Sequence, residues 1–316
     1  MPDYTIPRCE IVPLADRQTS LRVGGEEKTR WHFGADYPRP FFFPCNGPSS
    51  GASLTRIGHP GAQNHDHHRS VWFAHAKVNG LDFWSENGKT RIREKLWLRY
   101  RDGDEEALLA SLLGWFDPEG REVLEQEMVA ALIPGDAGEW FLETQSIFRP
   151  PKGGEAVTLE VSNFGVFAVR VAKSVSVHFG GGKIVSSEGM EGEPSIFGQS
   201  ARWMDYSGPM AKMEKDGQRV AVTEGITYFD HPGNPRYPAH WHVREDGWMG
   251  ASLCRNEPVP VTAEAPVTVR YLLHFHRGGA DLARSEAVAA AFAERPGFVV
   301  EEATVKHQQY EARRAG

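Results

Sequence analysis

The sequence predicts an all-β protein, a large antiparallel β-sandwich with a single helix near its C-terminal end. The first observation is a series of short apolar stretches that alternate with polar residues or are rich in β-branched and aromatic residues. The second is that 33 glycines and 21 prolines divide these stretches. The third is that helical spacing stands out in one late segment. Many short strands, frequent turns and one helix are typical of an antiparallel sandwich.

The strand pattern recurs from residue 70 onwards, and turn-forming residues separate the segments that carry it. The predicted strands are 70–76, 91–100, 107–116, 123–133, 140–148, 156–161, 164–177, 219–229, 248–254 and 267–276. Asp117-Pro118-Glu119-Gly120 predicts a type I turn that closes a hairpin, because proline occupies its second position and glycine its fourth. The pattern therefore predicts neighbouring antiparallel strands.

One segment, 281–295, predicts a helix. Leu282, Val288 and Phe292 recur at helical spacing, Asp281 can cap the start, and Pro296 follows the end. No internal repeat or low-complexity linker divides the chain. We therefore predict one sandwich domain over 1–316, with 1–35 as an extension at its edge.

Composition and charge limit the kinds of molecule that the protein is expected to bind. The formal net charge is −7 and no long basic run occurs, so nucleic-acid binding is not expected. No stretch approaches the roughly 18 apolar residues of a membrane span. Three distant cysteines fit a reducing compartment, and the first residues lack the pattern of a signal peptide. We expect a cytoplasmic protein with a small-molecule partner, and consider a homodimer.

The first candidate site is a dense polar cluster at 65–69. His65, Asp66, His67, His68 and Arg69 lead directly into a predicted strand. Imidazoles transfer protons near neutral pH and bind transition metals, and a guanidinium can hold a carboxylate with paired hydrogen bonds. The alternative is an exposed polar turn. We favour a functional site, because packing poorly explains so dense a polar string.

The second candidate site is the segment 230–244. Its polar members are Asp230, His231, Asn234, Arg236, His240, His242 and Arg244. In a strand, His240, His242 and Arg244 point to one side, while Trp241 and Val243 fill the core behind them. Three prolines stiffen the preceding loop. The alternative is a polar strand face behind a proline-rich connector.

Other candidates carry weaker signals. Asn79 precedes a glycine, which is a common hairpin turn as well as a polar group that could bind substrate. Trp203 and Asp205 combine an aromatic ring with a carboxylate, a pairing that suits a sugar face but also simple packing. His274 and His276 could complete the site or lie on a solvated face. Motifs for dinucleotide or phosphate binding, a nucleophile elbow and HExxH are absent from the sequence.

Five stretches carry a family resemblance. They are RPFFFP at 39–44, DHHRSVWFAH at 66–75, FGVFAVRVA at 164–172, ARWMDYSG at 201–208 and FDHPGNPRYPAHWHVR at 229–244. On these motifs the sequence resembles the soluble bacterial family known as PmoA-like. The resemblance implies an association with sugar catabolism and a supersandwich of the galactose-mutarotase type. The name also implies a methane mono-oxygenase subunit, but that enzyme is an integral membrane complex, so its activity is not transferred to a chain without a predicted span.

The leading hypothesis is a non-redox enzyme, an epimerase, lyase or hydrolase, acting on a sugar or sugar-derived acid by histidine and carboxylate acid-base catalysis. The candidate catalytic residues are His67, His68, Asp230, His231, His240 and His242. The acid and base would be one histidine from each cluster, and Asp230 would orient an imidazole. The candidate substrate-binding residues are Arg69, Asn79, Trp203, Asp205, Asn234, Arg236, Trp241 and Arg244.

Two alternatives remain open from the sequence. One is a metalloenzyme, in which His65, His67, His240 and His242 would hold a divalent transition metal. The other is a non-catalytic carbohydrate-binding protein, since β-sandwiches often bind glycans through aromatic side chains. All of these hypotheses require the segments 65–69 and 230–244 to meet in space.

Overall fold

A computed structural model describes residues 5–59 and 65–316, and within these residues the chain is built from two eight-stranded antiparallel sheets. Its strands are β1 (Cys9–Leu14), β2 (Gln18–Val23), β3 (Glu26–His32), β4 (Phe41–Cys45), β5 (Val71–His75), β6 (Arg91–Arg101), β7 (Ala107–Phe116), β8 (Glu122–Pro134), β9 (Trp140–Arg149) and β10 (Val157–Leu159). They continue with β11 (Gly165–Arg170), β12 (Lys183–Ser186), β13 (Trp203–Met213), β14 (Arg219–Asp230), β15 (His240–Arg244), β16 (Trp248–Ser252), β17 (Val259–Val261), β18 (Val267–Arg277), β19 (Phe298–Glu302) and β20 (Tyr310–Arg314). The helices are α1 (Glu193–Ile196) and α2 (Leu282–Glu294).

The order of strands differs between the two sheets. The first sheet runs β1-β2-β3-β4-β5-β11-β16-β15, and the second runs β12-β13-β14-β18-β9-β8-β7-β6. Two short hairpin-like pairs, β10 with β17 and β19 with β20, complete the sheets of the described chain. The all-β antiparallel fold with a late helix is therefore confirmed, and β1 to β3 lie at one edge of the first sheet.

Alternation along the central strands of the first sheet separates a core face from an outer face. Trp241 and Val243 of β15 and Met249 of β16 are buried in the main hydrophobic core between the sheets. The intervening residues point away from that core, because successive side chains in a strand face opposite sides. On the outer face, Trp72 and Trp248 belong to a separate small aromatic cluster. The predicted inward position of Trp241 and Val243 is confirmed.

Most predicted elements agree with the structure to within a few residues. β7 has the predicted bounds, and α2 begins after Asp281, whose side chain accepts a hydrogen bond from the backbone of Arg284 at 3.0 Å. The turn at 117–120 closes the hairpin between β7 and β8. The predicted strand 164–177 was too long, since β11 ends at Arg170. In the described part of the chain, no helix is long and apolar enough to cross a membrane.

Candidate functional site

Four strand ends of the first sheet meet at one place on its outer face. β5 starts just after His68, β11 ends at Arg170, β16 starts at Trp248 and β15 ends at Arg244. The antiparallel register pairs Arg170 with Trp248 and Trp248 with Arg244, which brings these ends side by side. The sheet therefore presents side chains from segments far apart in sequence to a single surface.

A pocket of about 360 Å³ lies at this place. The residues that line it are His65, His67, His68, Trp84, Ser85, Phe164, Arg170, His242, Arg244, Asp246 and Trp248. Histidines from 65–68 and residues from 242–244 thus share one cavity. The structure brings together the two segments on whose meeting the sequence-based hypotheses depend.

The histidines of the first cluster form a compact group on one wall. The ring centroids of His67 and His68 are 4.3 Å apart, and those of His65 and His68 are 5.3 Å apart. Burial, reinforced by the neighbouring His67 and Arg170, lowers the pKa of His68 far below its ordinary value. The His68 imidazole is therefore neutral at pH 7, and among the described residues its Nδ1 has no hydrogen-bond partner.

His242 supplies a second neutral imidazole from β15. Burial lowers its pKa to about 4. Its Nδ1 lies 3.4 Å from the backbone oxygen of Asn163, and because a carbonyl only accepts, this contact requires a proton on Nδ1. The lone pair then resides on Nε2. The ring lies against Trp248 and Phe164, with centroid distances of 4.5 and 5.0 Å.

Asp246 joins Arg170 to His59, although sequence reasoning did not select it. Its Oδ1 accepts a hydrogen bond from Nη1 of Arg170, and its Oδ2 contacts Nε2 of His59, both at 2.9 Å. Burial opposes ionisation, but the Arg170 guanidinium and the His59 imidazole lower the pKa of Asp246 overall. His59, which the sequence analysis did not select, is thus a neighbour of the site.

Aromatic rings form the floor of the pocket. The centroid of Trp84 lies 5.3 Å from those of both Trp248 and Phe164. Gly250 makes room for this arrangement, because a Cβ at that position would lie 2.7 Å from the indole of Trp248. The sequence contained a signal for two of the pocket residues, because Asp246 and Trp248 follow shortly after His242 and Arg244.

Arg39 joins the two segments of the chain that carry the pocket residues His67 and Trp84. Its buried guanidinium donates to the backbone oxygen of His67 at 3.1 Å, and to those of Trp84 and Ser85 at 2.7 and 3.2 Å. Burial lowers the pKa of this arginine to about 10, so it remains charged at neutral pH. A single side chain therefore fixes the histidine segment relative to the tryptophan segment.

The structure places the first half of the 230–244 segment elsewhere. Asp230 does not orient an imidazole of the pocket; its oxygens accept from Nδ2 of Asn234 at 2.7 Å and from the backbone of Ala239 at 2.9 Å. Nε2 of His231 lies 2.9 Å from Nη1 of Arg270, and Asn234 also bonds the backbone of Arg270. These residues fix a loop at the end of β14, in the second sheet. They were selected for their polarity, but their bonds are internal to the fold.

His240 and Arg69 are close to the pocket in sequence but do not line it. The Nδ1 of His240 lies 3.0 Å from the backbone oxygen of Gly198, at the start of β15. Arg69 is held by Glu86, with Nη2 2.7 Å from a carboxylate oxygen, and lies over the ring of Tyr37. The predicted role of Arg69 as a substrate ligand is not supported, because its guanidinium is already paired.

The remaining candidate residues also form bonds to other groups within the fold. Trp203 donates to Glu286 of α2 at 2.8 Å, and Trp241 donates to the backbone of Ala201 at 2.8 Å inside the core. The other three have equally local contacts: Asp205 pairs with His276, Asn79 accepts from the backbone of Thr158 in a turn, and Arg236 pairs with Glu257. Burial or local pairing explains these five, so the packing alternative is the better interpretation.

The proposed metal ligands do not converge. Within residues 5–59 and 65–316, no group of three or more histidine, cysteine, aspartate or glutamate side chains is arranged to hold a metal ion. His65, His67 and His242 line the pocket, whereas His240 bonds to Gly198 outside it. The predicted set of four ligands is therefore not assembled in the described part of the chain.

Comparison with known proteins gives a family but no activity. Residues 18–291 match DUF6807, a family of unknown function, and the chain belongs to that family. No curated protein matches the sequence.

Two solved structures match this chain at low similarity. The 4-alpha-glucanotransferase from Thermococcus litoralis has a TM-score of 0.32 and 9% identity over 87% of this chain, which spans only 40% of that protein. The GalM/aldose epimerase homologue from C. elegans has a TM-score of 0.31 and 10% identity over 85% of this chain and 98% of that one. Similarity at this level does not establish an activity.

Proposed function

We propose that the pocket is the active site of a non-redox enzyme that acts on a sugar or a sugar-derived acid through proton transfer by imidazoles. The observation that carries the proposal is that two buried, neutral imidazoles, His68 and His242, line one cavity. Arg170, Arg244 and several aromatic rings line the same cavity. His68 lies in the segment before β5 and His242 lies in β15, and both line the same cavity, so a bound molecule would contact both.

The protonation states suit general acid-base catalysis. A base must be unprotonated when substrate binds, and the lowered pKa values keep both imidazoles neutral at pH 7. After one imidazole has accepted a proton, the imidazolium can act as an acid in the return step. The rings of Trp84 and Trp248 offer the apolar faces on which the C–H face of a sugar packs.

The size of the cavity also supports a small ligand. Its volume of about 360 Å³ lies at the lower end of the range for small-molecule sites, roughly 300–1,000 Å³. The same aromatic floor would serve a protein that binds a sugar without altering it. The two hypotheses differ in one measurable property, namely exchange of a substrate C–H proton with solvent.

The proposal is tested by incubating the protein in D2O with a panel of sugars, aldonates, uronates and 2-keto sugar acids. Proton NMR then follows deuterium incorporation and new products. We expect His68→Gln and His242→Gln to reduce the rate at least about 100-fold, in the range typical of a lost acid or base. His240→Gln is the matched control, because His240 shares the strand and the face of His242 but bonds outside the pocket.

Two outcomes would contradict the proposal. If folded His68→Gln and His242→Gln proteins both retained full activity, these imidazoles would not be the acid and base. If sugars bound in the pocket but no compound of the panel exchanged a proton or reacted, the protein would be a carbohydrate-binding protein.

We further propose, on the sequence motifs alone, that the chain is a PmoA-like protein and acts in the cytoplasm. A homodimer also remains a prediction. The acid-base proposal does not depend on any of these three.

A further inference from the structure

We propose that Arg170 is a carboxylate receptor and that the ligand of the pocket is therefore a sugar acid. This inference rests on the proposed function, because it names the substrate class of the same site. It assigns the role that the sequence gave to Arg69, Arg236 and Arg244 to a residue that sequence reasoning did not select.

Arg170 is fully buried, yet only part of its guanidinium is paired. Its Nη1 donates to Asp246 at 2.9 Å, whereas Nε and Nη2 have no hydrogen-bond partner among the described residues. These two nitrogens form one edge of the planar guanidinium, and the parallel N–H groups of that edge match the two oxygens of a carboxylate. A buried donor without an acceptor is destabilising, so this edge is expected to have a partner when the site is occupied.

Other unpaired donors lie beside Arg170. In the part of the chain that the structure describes, the indole nitrogens of Trp72 and Trp248 are also buried without an acceptor. Trp248 lines the pocket, and Trp72 stacks on His68 with a centroid distance of 5.6 Å. Indole N–H groups only donate, as do guanidinium N–H groups. A ligand rich in acceptor oxygens is the complement of this group of donors.

The charged residues of the lining are paired, which leaves the free edge of Arg170 as the feature that favours an acid. Nη1 of Arg170 pairs with Asp246, and Arg244 pairs with Glu193 at 3.3 Å. His68 and His242 are neutral at pH 7. A carboxylate accepts two parallel, charge-assisted hydrogen bonds from Nε and Nη2, whereas a neutral hydroxyl offers one acceptor oxygen.

A carboxylate at Arg170 also explains why imidazoles adjoin it. When an imidazole removes the proton from the carbon next to the carboxylate, the C–H bond breaks and its electron pair moves into the carboxylate as an enediolate. The guanidinium stabilises the added charge. The electron pair then returns to carbon, which takes a proton back from the imidazolium, or it expels an oxygen substituent from the next carbon, and that substituent leaves with the imidazolium proton.

The test compares affinities of the complete protein by isothermal titration calorimetry. The probes are D-galacturonate, D-glucuronate, D-gluconate and D-galactonate, the methyl esters of the two uronates, the neutral parent sugars, and the corresponding 6-phosphates. We expect at least one acid to bind about 10- to 100-fold more tightly than its ester or neutral parent, as for a charge-assisted bidentate pair. Arg170→Lys keeps the charge but removes the planar edge, so it should remove most of this preference.

Three results would overturn the inference. They are acids that bind no better than their esters or parents across the panel, a preference for the 6-phosphates, and a preference for acids that persists in folded Arg170→Lys protein. The comparison of acid and ester uses the unaltered protein, so it is decisive even if the variant does not fold. Turnover of neutral sugars alone would refute this inference and leave the proposed function standing; tight binding of an acid without proton exchange would do the reverse.

Discussion

Asp230 illustrates how a single polar residue can be conspicuous in sequence and structural in the fold. Its carboxyl is almost completely buried and accepts hydrogen bonds from Asn234 and from the backbone of Ala239. These bonds close the loop that joins β14 to β15. Burial raises the pKa of this carboxyl from 3.8 to about 7, so its ionisation in the folded protein is unfavourable at acidic pH. An abnormal pKa is here a property of packing and does not mark the pocket.

The change Asp230→Asn should therefore reduce stability without affecting the pocket. We expect a loss of about 1–3 kcal/mol, because the amide presents a donor where the carboxyl presents two acceptors. Between pH 4 and 7 the unfolded carboxyl ionises while the folded one stays protonated, so its contribution to stability falls as the pH rises. The cost of the substitution should thus be larger at pH 5 than at pH 8. Urea unfolding at both pH values measures it, with exposed Asp36→Asn as control.

A loss of ligand binding with unchanged stability in Asp230→Asn would restore the catalytic role that the sequence suggested. The comparison with His242→Gln sharpens this point, since that variant should lose activity. The two substitutions thus separate a residue that holds the loop from a residue that lines the pocket.

At the scale of elements, the pocket depends on two segments that lie outside the strands. Residues 65–68 and 82–86 form no part of β4, β5 or β6, yet they carry His68 and Trp84. Arg39, just before β4, binds the backbone oxygens of both segments. Strand β16 positions Trp248 in the floor of the pocket, and Arg39 holds the segment 65–68 against the segment 82–86.

Arg39→Met should loosen both segments while leaving the sheets intact. The side chain keeps its apolar stem, but three backbone oxygens lose their donor. We expect faster amide hydrogen exchange over 65–69 and 82–87, measured by mass spectrometry, with little change in β7 or β8. Arg93→Met is the matched control, because Arg93 likewise donates to three backbone oxygens, those of Tyr37, Ile92 and Ala35.

Equal exchange in the wild-type and Arg39→Met proteins over both segments would contradict this bridging role. If Arg93→Met had the same effect on 82–87 as Arg39→Met, the change would reflect general loosening of this side of the fold.

At the scale of the whole molecule, buried histidines make stability depend on pH. Burial lowers the pKa of His75, His231, His242 and His274 to about 4. Below pH 6.5 these side chains bind protons in the unfolded chain but resist them in the folded protein. Stability from this source is therefore complete above pH 6.5 and is lost as the pH falls towards 4.

We therefore expect the free energy of unfolding to fall between pH 7 and pH 5, although Asp230 acts in the opposite direction. Each affected histidine contributes up to about 1.4 kcal/mol per pH unit in this window. Urea unfolding at pH 7, 6 and 5 measures the slope. His75→Gln should reduce it, whereas exposed His178→Gln should not. A stability that rose on acidification, or equal slopes for the two variants, would contradict this account.

Local sequence patterns were enough to predict the class of fold and the general location of the candidate site. Strand-like patterning bounded by turn residues predicted β7, and helical spacing with a capping residue predicted α2. Both predictions were close because these signals are local in the chain. The same alternation placed His242 and Arg244 opposite Trp241, which the structure confirms.

The polar residues that share the pocket could not be identified without the long-range pairing of strands. Arg170 ends β11 and Asp246 lies in the turn between β15 and β16, and the two meet because β11 pairs with β16. Their pairing depends on sheet order, which local periodicity does not encode. Likewise, Asp230 and His242 belong to one motif in sequence but to different sheets in the fold, since the chain crosses between the sheets at the loop after β14. Sequence proximity therefore predicted the neighbourhood of the site, and long-range strand pairing selected its members.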